Sequence, residues 1–277
     1  QEKSLKLRDP NTVLIEDCLI NYAEEHAYKT NSPQRIGYAI KALSEYWANK
    51  MVDDVDEDTC DEYLISRDVS DSTVRRELGV LRASFKHAER KKRLTHVPHV
   101  YLPAEHEGKD RWLTRPEMAR LLWYSRTIYS RTYLPLFILL GLYTAARKSA
   151  ILELTWQQVD FKNNRIDFNP KGRKKTNKGR PIIPMQRHLR TFLRLAYERR
   201  GTCEFVVNNG KPILDIKKGF AGAVQRADLK DVTPHTLRHT AATWMAQQGV
   251  SMFVIAQYLG QTNERTTTIY AHHQDRK

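Results

Sequence analysis

The stretch from Val159 to Pro184 reads VDFKNNRIDFNPKGRKKTNKGRPIIP, and it decides the fold class because the patterning changes there. Residues 159–161, 165–168 and 181–184 alternate like strands, and Asn163-Asn164 supplies a tight turn between the first two. On both sides of this stretch the repeat is helical. Upstream, Thr114-Arg-Pro-Glu117 is a capping box that opens a helical run lasting to Tyr143. Downstream, helical patterning covers 186–200, 214–227, 235–247 and 252–259, with stops at Gly249 and Gly260, and a last short helix spans 267–272. The expected class is mainly α with a small antiparallel β-sheet.

Further upstream, residues 11–94 read as helices with short breaks. Val13, Leu14, Cys18, Leu19 and Tyr22 recur at helical spacing. Ser32-Pro33 places a capping residue before a proline at the first helical position. The acidic stretch 53–62 reads as a solvated helix start. Ser72 is the expected cap of a long helix with Val74, Leu78, Leu81 and Phe85 inward, ending in Arg90, Lys91, Lys92 and Arg93. Those four cations complement a helix C-terminus and suit phosphate contacts. Pro98, Pro103 and Gly108 then break all periodicity. The expected organisation is a helical domain over 1–104, a linker over 105–110 and a mixed α+β domain over 111–277.

The 277 residues suit two domains, and 40% hydrophobic content is enough for real cores. The formal net charge of +14 points to a polyanionic partner, nucleic acid being the commonest. Cys18, Cys60 and Cys203 are odd in number and far apart, which argues against a disulfide framework or zinc knuckle and for a reducing compartment. The longest apolar run, 134–143, falls short of the roughly 20 residues of a membrane span. It contains Pro135 and Gly141 and reads as a core helix. No membrane partner and no signal peptide are expected.

Four motifs carry chemistry. Arg147 follows a hydrophobic helix and precedes a second one anchored by Ile151, Leu152 and Leu154, so its guanidinium is held for bidentate phosphate contact. Between the second and third strands, six of the ten residues 171–180 are basic: Lys171, Arg173, Lys174, Lys175, Lys178 and Arg180. That is a hairpin tip able to enter a DNA groove. In His235-Thr-Leu-Arg238-His239 the spacing of three puts His235 and Arg238 on one helix face, a proton carrier beside an oxyanion holder. Tyr270 lies on the last short helix, after Leu259-Gly260-Gln261, where an activated phenol can attack phosphorus.

The order Arg147, hairpin lysine, His235-x-x-Arg238, Tyr270 resembles the tyrosine recombinase (phage integrase) family, and the resemblance covers nearly the whole chain. It implies a helical core-binding domain over 1–104 and a catalytic domain over 111–277. Arg147 and Arg238 then match the two catalytic arginines, His235 the histidine of the motif, and Tyr270 the nucleophile. Lys175 best matches the hairpin lysine, with Lys174 and Lys178 as alternatives. Gln261 stands where many members have histidine, and Ala150 where an acidic residue is common, leaving Glu153 as a substitute partner for Arg147. The resemblance further implies site-specific cleavage and rejoining of double-stranded DNA at attachment sites through a 3′-phosphotyrosine. It implies a homotetramer on DNA, accessory DNA-bending proteins, and a cytoplasmic bacterial or phage setting. Two arginines replace a metal, bond energy is conserved without ATP, and no cofactor is expected. His96 and His99 flank a proline and read as solvent-exposed, not as ligands.

Three other readings compete. A type IB topoisomerase shares the chemistry but lacks this helical N-terminal domain. A DNA binder on the same scaffold, weak or inactive in cleavage, is permitted by Gln261 and Ala150. An RNA-binding protein would need an RRM-like or KH-like signature, and none is present.

Overall fold

The computed structural model describes residues 7–105, 111–126, 133–170, 172–173, 179–261 and 268–273. The chain divides into two compact units, Gln1–Gly108 and Lys109–Lys277. The fold is mainly helical with one small antiparallel sheet.

The first unit is built from α1 (Ile15–Glu25), α2 (Pro33–Trp47), α3 (Glu57–Ser66) and α4 (Asp71–Arg90). Their apolar stripes meet in a core that buries Leu19, Leu43, Trp47, Tyr63, Leu81 and Phe85. The acidic stretch does start a helix: Asp56 caps α3 by accepting from the Thr59 backbone N–H at 2.8 Å. Two expected caps differ. Ser32 occupies the N-cap of α2 without a side-chain bond, and Pro33 takes the first helical position, where no N–H is needed. The N-cap of α4 is Ser70 and not Ser72, because the helix already begins at Asp71. One carboxylate is buried here. Glu77 accepts from the Tyr63 hydroxyl at 2.7 Å and from two nitrogens of Arg67 at 3.0 and 3.1 Å.

The second unit is organised around α6 (Tyr133–Thr144), which is apolar on all sides and buries Leu134, Phe137, Ile138 and Leu140 completely. α5 (Arg115–Arg126) opens with the expected capping box, the Thr114 N–H donating to Glu117 at 2.8 Å. After α6 come α7 (Lys148–Leu152) and the sheet β1 (Val159–Asp160), β2 (Arg165–Asp167) and β3 (Ile182–Pro184), in order β1-β2-β3 with antiparallel pairing throughout. Register sets Val159 opposite Ile166 and Ile166 opposite Ile183, so the three strands present one apolar row to the core. Asn164 takes φ +51° at the tight turn, a conformation asparagine tolerates. Then follow α8 (Arg187–Glu198), α9 (Lys217–Arg226), α10 (Pro234–Gln247), α11 (Met252–Leu259) and a 3-10 segment, Thr268–His273, where the sequence suggests a short helix.

Two close approaches place the functional residues. A Cβ on Gly141 would stand 2.8 Å from Leu237 Cδ1, so glycine lets α6 and α10 nearly touch. Gly260, at φ +60°, ends α11, and a Cβ there would meet Gly179 O at 2.8 Å and Pro181 Cδ at 2.7 Å. The outgoing arm of the basic hairpin therefore lies against the end of α11.

Candidate active site

At the end of α6 the chain turns sharply at Ala145, whose φ is +50°. The turn aims the Ala145 carbonyl back at α10, where Arg238 Nη1 donates to it at 2.8 Å. Arg238 Nη2 donates to the Leu259 carbonyl at the end of α11, also at 2.8 Å. One buried guanidinium thus ties α10 to the ends of α6 and α11. Arg147, two residues past the turn, donates from Nη1 to the Gly179 carbonyl at 2.7 Å. Both arginines line one narrow cleft with Arg180, Pro181 and Tyr258.

The electrostatics of this cleft are one-sided. Among the described residues neither Arg147 nor Arg238 is in an ion pair; the partners given above are neutral carbonyls. Burial, together with the charge of Arg147 and partly offset by Tyr270, lowers the Arg238 pKa to about 10, so it stays charged at neutral pH. Burial, then the charges of Arg173 and Arg180, lower that of Arg147. His235 keeps an exposed edge, yet the surrounding atoms and the charges of His239, Arg238 and Arg147 push its imidazole down to about 4. It is neutral at pH 7. Buried and half-buried cations set close together beside a neutral imidazole make a pocket suited to an anion.

Tyr270 completes the site. Its ring is buried against Ala145, Ala241, Ala242, Ile255 and Leu259, and the 3-10 segment that bears it is braced by His273, edge-on to Trp112. The hydroxyl lies 2.8 Å from His239 Nδ1. The sequence favours His235 as the proton acceptor, but the structure puts the next histidine along, His239, in contact with the phenol. His235 stands edge-on to His239, with ring centroids 4.6 Å apart. The missed signal was the i, i+4 spacing, which stacks His239 on the His235 face of α10.

The structure brings together Arg147, His235, Arg238 and Tyr270, with Arg173 and Arg180 close enough to act on Arg147 and Gln261 following Gly260. Glu153, expected beside Arg147, instead pairs with Arg180 at 2.6 Å, and Ala150 is buried. Lys171, Lys174, Lys175 and Lys178 lie outside the described residues. In the first unit Arg93 pairs with Glu25, and Arg90 contacts His87 at 3.0 Å, whereas Lys91 and Lys92 are exposed. No group of histidine, cysteine and carboxylate side chains among the described residues could hold a metal, and no described helix is long and apolar enough to cross a membrane.

Comparison with known proteins agrees with this geometry. The model of the phage integrase family matches residues 111–277. A tyrosine recombinase, XerC, from Chlamydia caviae is 29% identical over 181 residues, covering 61% of this chain and 54% of the relative. The chain spans about half the length of the first such curated relatives. Among solved structures, the Tn1549 transposon integrase in complex with transposon right end DNA superposes with a TM-score of 0.80 at 18% identity, over 93% of this chain and 94% of that one. A lambda integrase tetramer bound to a Holliday junction gives 0.76 at 17% identity, over 96% and 80%. At such identities these likenesses establish the fold.

Proposed function

The chain belongs to the phage integrase family, and from that premise we propose that it cuts and rejoins DNA strands at specific sites through a covalent 3′-phosphotyrosine at Tyr270. The observation that carries the reading is the pair of arginines, Arg147 and Arg238, held by backbone carbonyls beside the tyrosine with no ion-pairing carboxylate among the described residues.

The chemistry follows from the charges. Attack on a phosphodiester concentrates negative charge on the non-bridging oxygens, and preorganised guanidiniums stabilise it where it forms. His235, neutral before DNA arrives, donates a hydrogen bond to the same oxygens. Gln261 donates a further one from the end of α11, although unlike imidazole it carries no proton. Tyr270 forms the bond to phosphorus, and the 5′ oxygen leaves with a proton from the hairpin, the role assigned to Lys175 with Lys174 and Lys178 as alternatives. Arg173 and Arg180 add phosphate contacts at the hairpin, and Lys91 and Lys92 do so from the first unit. The reaction exchanges one phosphodiester for another, so the reverse step rejoins the strand without an energy source. Double-stranded DNA is the partner, the first unit is its core-binding domain, the second its catalytic domain, and four copies act on two duplexes.

The test is a nicked duplex whose sequence is recovered by the protein from a random library, incubated in EDTA and run on a denaturing gel. A protein–DNA band absent with Tyr270→Phe is the expected result. Tight binding with no band would favour the non-cutting DNA binder.

A further inference from the structure

We propose that His239, the residue after Arg238, is the base that takes the proton from Tyr270, a catalytic role that rests on the recombinase reading above. Its Nδ1 lies 2.8 Å from the Tyr270 hydroxyl oxygen, a direct proton-transfer distance. The rings meet at 52° with centroids 5.8 Å apart, so the contact is made through the polar edge of the imidazole and not by stacking.

Three observations suit this contact to proton transfer. An imidazole with its hydrogen on Nε2 offers a lone pair at Nδ1, facing the hydroxyl. The charge of Arg238 reaches Tyr270, so a phenolate formed there sits beside a fixed cation. Tyr270 is buried in one apolar cluster with Ala145, Ala241, Ala242, Ile255 and Leu259, while its oxygen meets His239 on α10. Among the described residues, the titratable and charged groups of this corner are His235, Arg238 and His239 on α10, Arg147 beyond the α6 turn, and Tyr270, His272 and His273 on the 3-10 segment. From α6, α11 and the turn between α6 and α7, the residues against the tyrosine are apolar.

In the forward step the Tyr270 O–H bond breaks and its proton passes to His239 Nδ1, while the oxygen's electron pair forms the bond to phosphorus. The P–O5′ bond breaks, and the 5′ oxygen leaves as an alcohol with the proton of the general acid assigned to Lys175. Religation reverses both transfers.

A substrate with sulfur in place of the bridging 5′ oxygen isolates the first transfer, because a thiolate leaves without needing a proton. The library-derived duplex, with its cleaved step mapped, is synthesised in that form. Rates of covalent complex formation are measured across pH for the wild type, His239→Ala, His239→Asn and Tyr270→Phe, with DNA binding and melting temperature as controls for folding. The expected result is a loss of about 100-fold or more in both His239 variants, at unchanged binding. The wild-type fall in rate on acidification should vanish in them, and added imidazole should restore part of the rate to His239→Ala. Asparagine keeps an acceptor near the Nδ1 position but takes up no proton. Wild-type rates in either variant would therefore overturn the proposal while leaving the recombinase reading intact. A wild type that is no more able than Tyr270→Phe to form the complex would overturn both.

Discussion

Arg238 has a structural task besides the chemical one proposed for it, and substitution separates them. Its two terminal nitrogens satisfy carbonyls at the ends of α6 and α11, so Arg238→Ala leaves buried acceptors unpaired at about 1–3 kcal/mol. Arg147→Lys is gentler on the fold, because among the described residues one bond, to Gly179, is at stake. A lysine keeps the charge but loses the fork that grips two oxygens. We expect Arg147→Lys to keep the wild-type melting temperature and to cleave about 100-fold more slowly or worse, checked by adduct kinetics. His235 makes a prediction with a definite sign. Its folded-state pKa, about 4, lies below the ordinary histidine value of 6.5. The unfolded chain therefore takes up the proton first, and this group's contribution to stability is lost as pH falls from 6.5 towards 4. A bound phosphate reverses the electrostatics and draws a proton on. DNA binding at about pH 5.5 should show proton uptake that disappears in His235→Gln, read from binding enthalpies in buffers of different ionisation heat.

At the scale of elements, the site depends on two glycine contacts. Gly141→Ala inserts a methyl against Leu237 and should cost about 1–3 kcal/mol, moving α10 and with it Arg238; thermal melts beside adduct kinetics check this. Gly260→Ala combines a left-handed φ of +60° with contact on Pro181 and Gly179. Its expected effect is about 1–2 kcal/mol of strain and a cleavage defect from displacing the hairpin arm. Much of this level was legible in the sequence. The strand alternation and the Asn163-Asn164 turn predicted the sheet, whereas the register that sets Val159, Ile166 and Ile183 on one face is seen in the structure. The caps were less legible: Ser32 and Ser72 have the right chemistry, but where a helix starts is set by packing of its apolar face. The i, i+4 spacing could have set His239 beside His235, but its contact with Tyr270 was not legible. It closes only after α11 and the last 3-10 segment fold back on α10, and the turn at Ala145 is a left-handed conformation that alanine does not advertise.

For the whole molecule, the two units carry separate acid-sensitive clamps. Glu25 is held down to about 2 by its bonds to Arg93 and His87, and Glu117 to about 2 chiefly by Arg111. Both folded-state values lie below the ordinary carboxylate value of 4.5. The stability they supply is present above that value and is lost as pH falls from about 4.5 to about 2. Melting temperatures measured over this range should fall steeply for the wild type and less steeply for Glu25→Gln and Glu117→Gln. Net charge of +14 adds a second property of the whole chain: affinity for DNA should drop steeply with salt, as counterion release requires.

The central claim is that Tyr270 becomes covalently joined to DNA in the field of Arg147 and Arg238. The most direct measurement is mass spectrometry of the protease-digested adduct trapped on the nicked duplex in EDTA. One modified peptide is expected, containing Tyr270, with a nucleotide attached through its 3′ phosphate and the 5′ end of the cut strand a free hydroxyl. Nucleotide mass on any other residue, or a 5′-linked nucleotide, would contradict it.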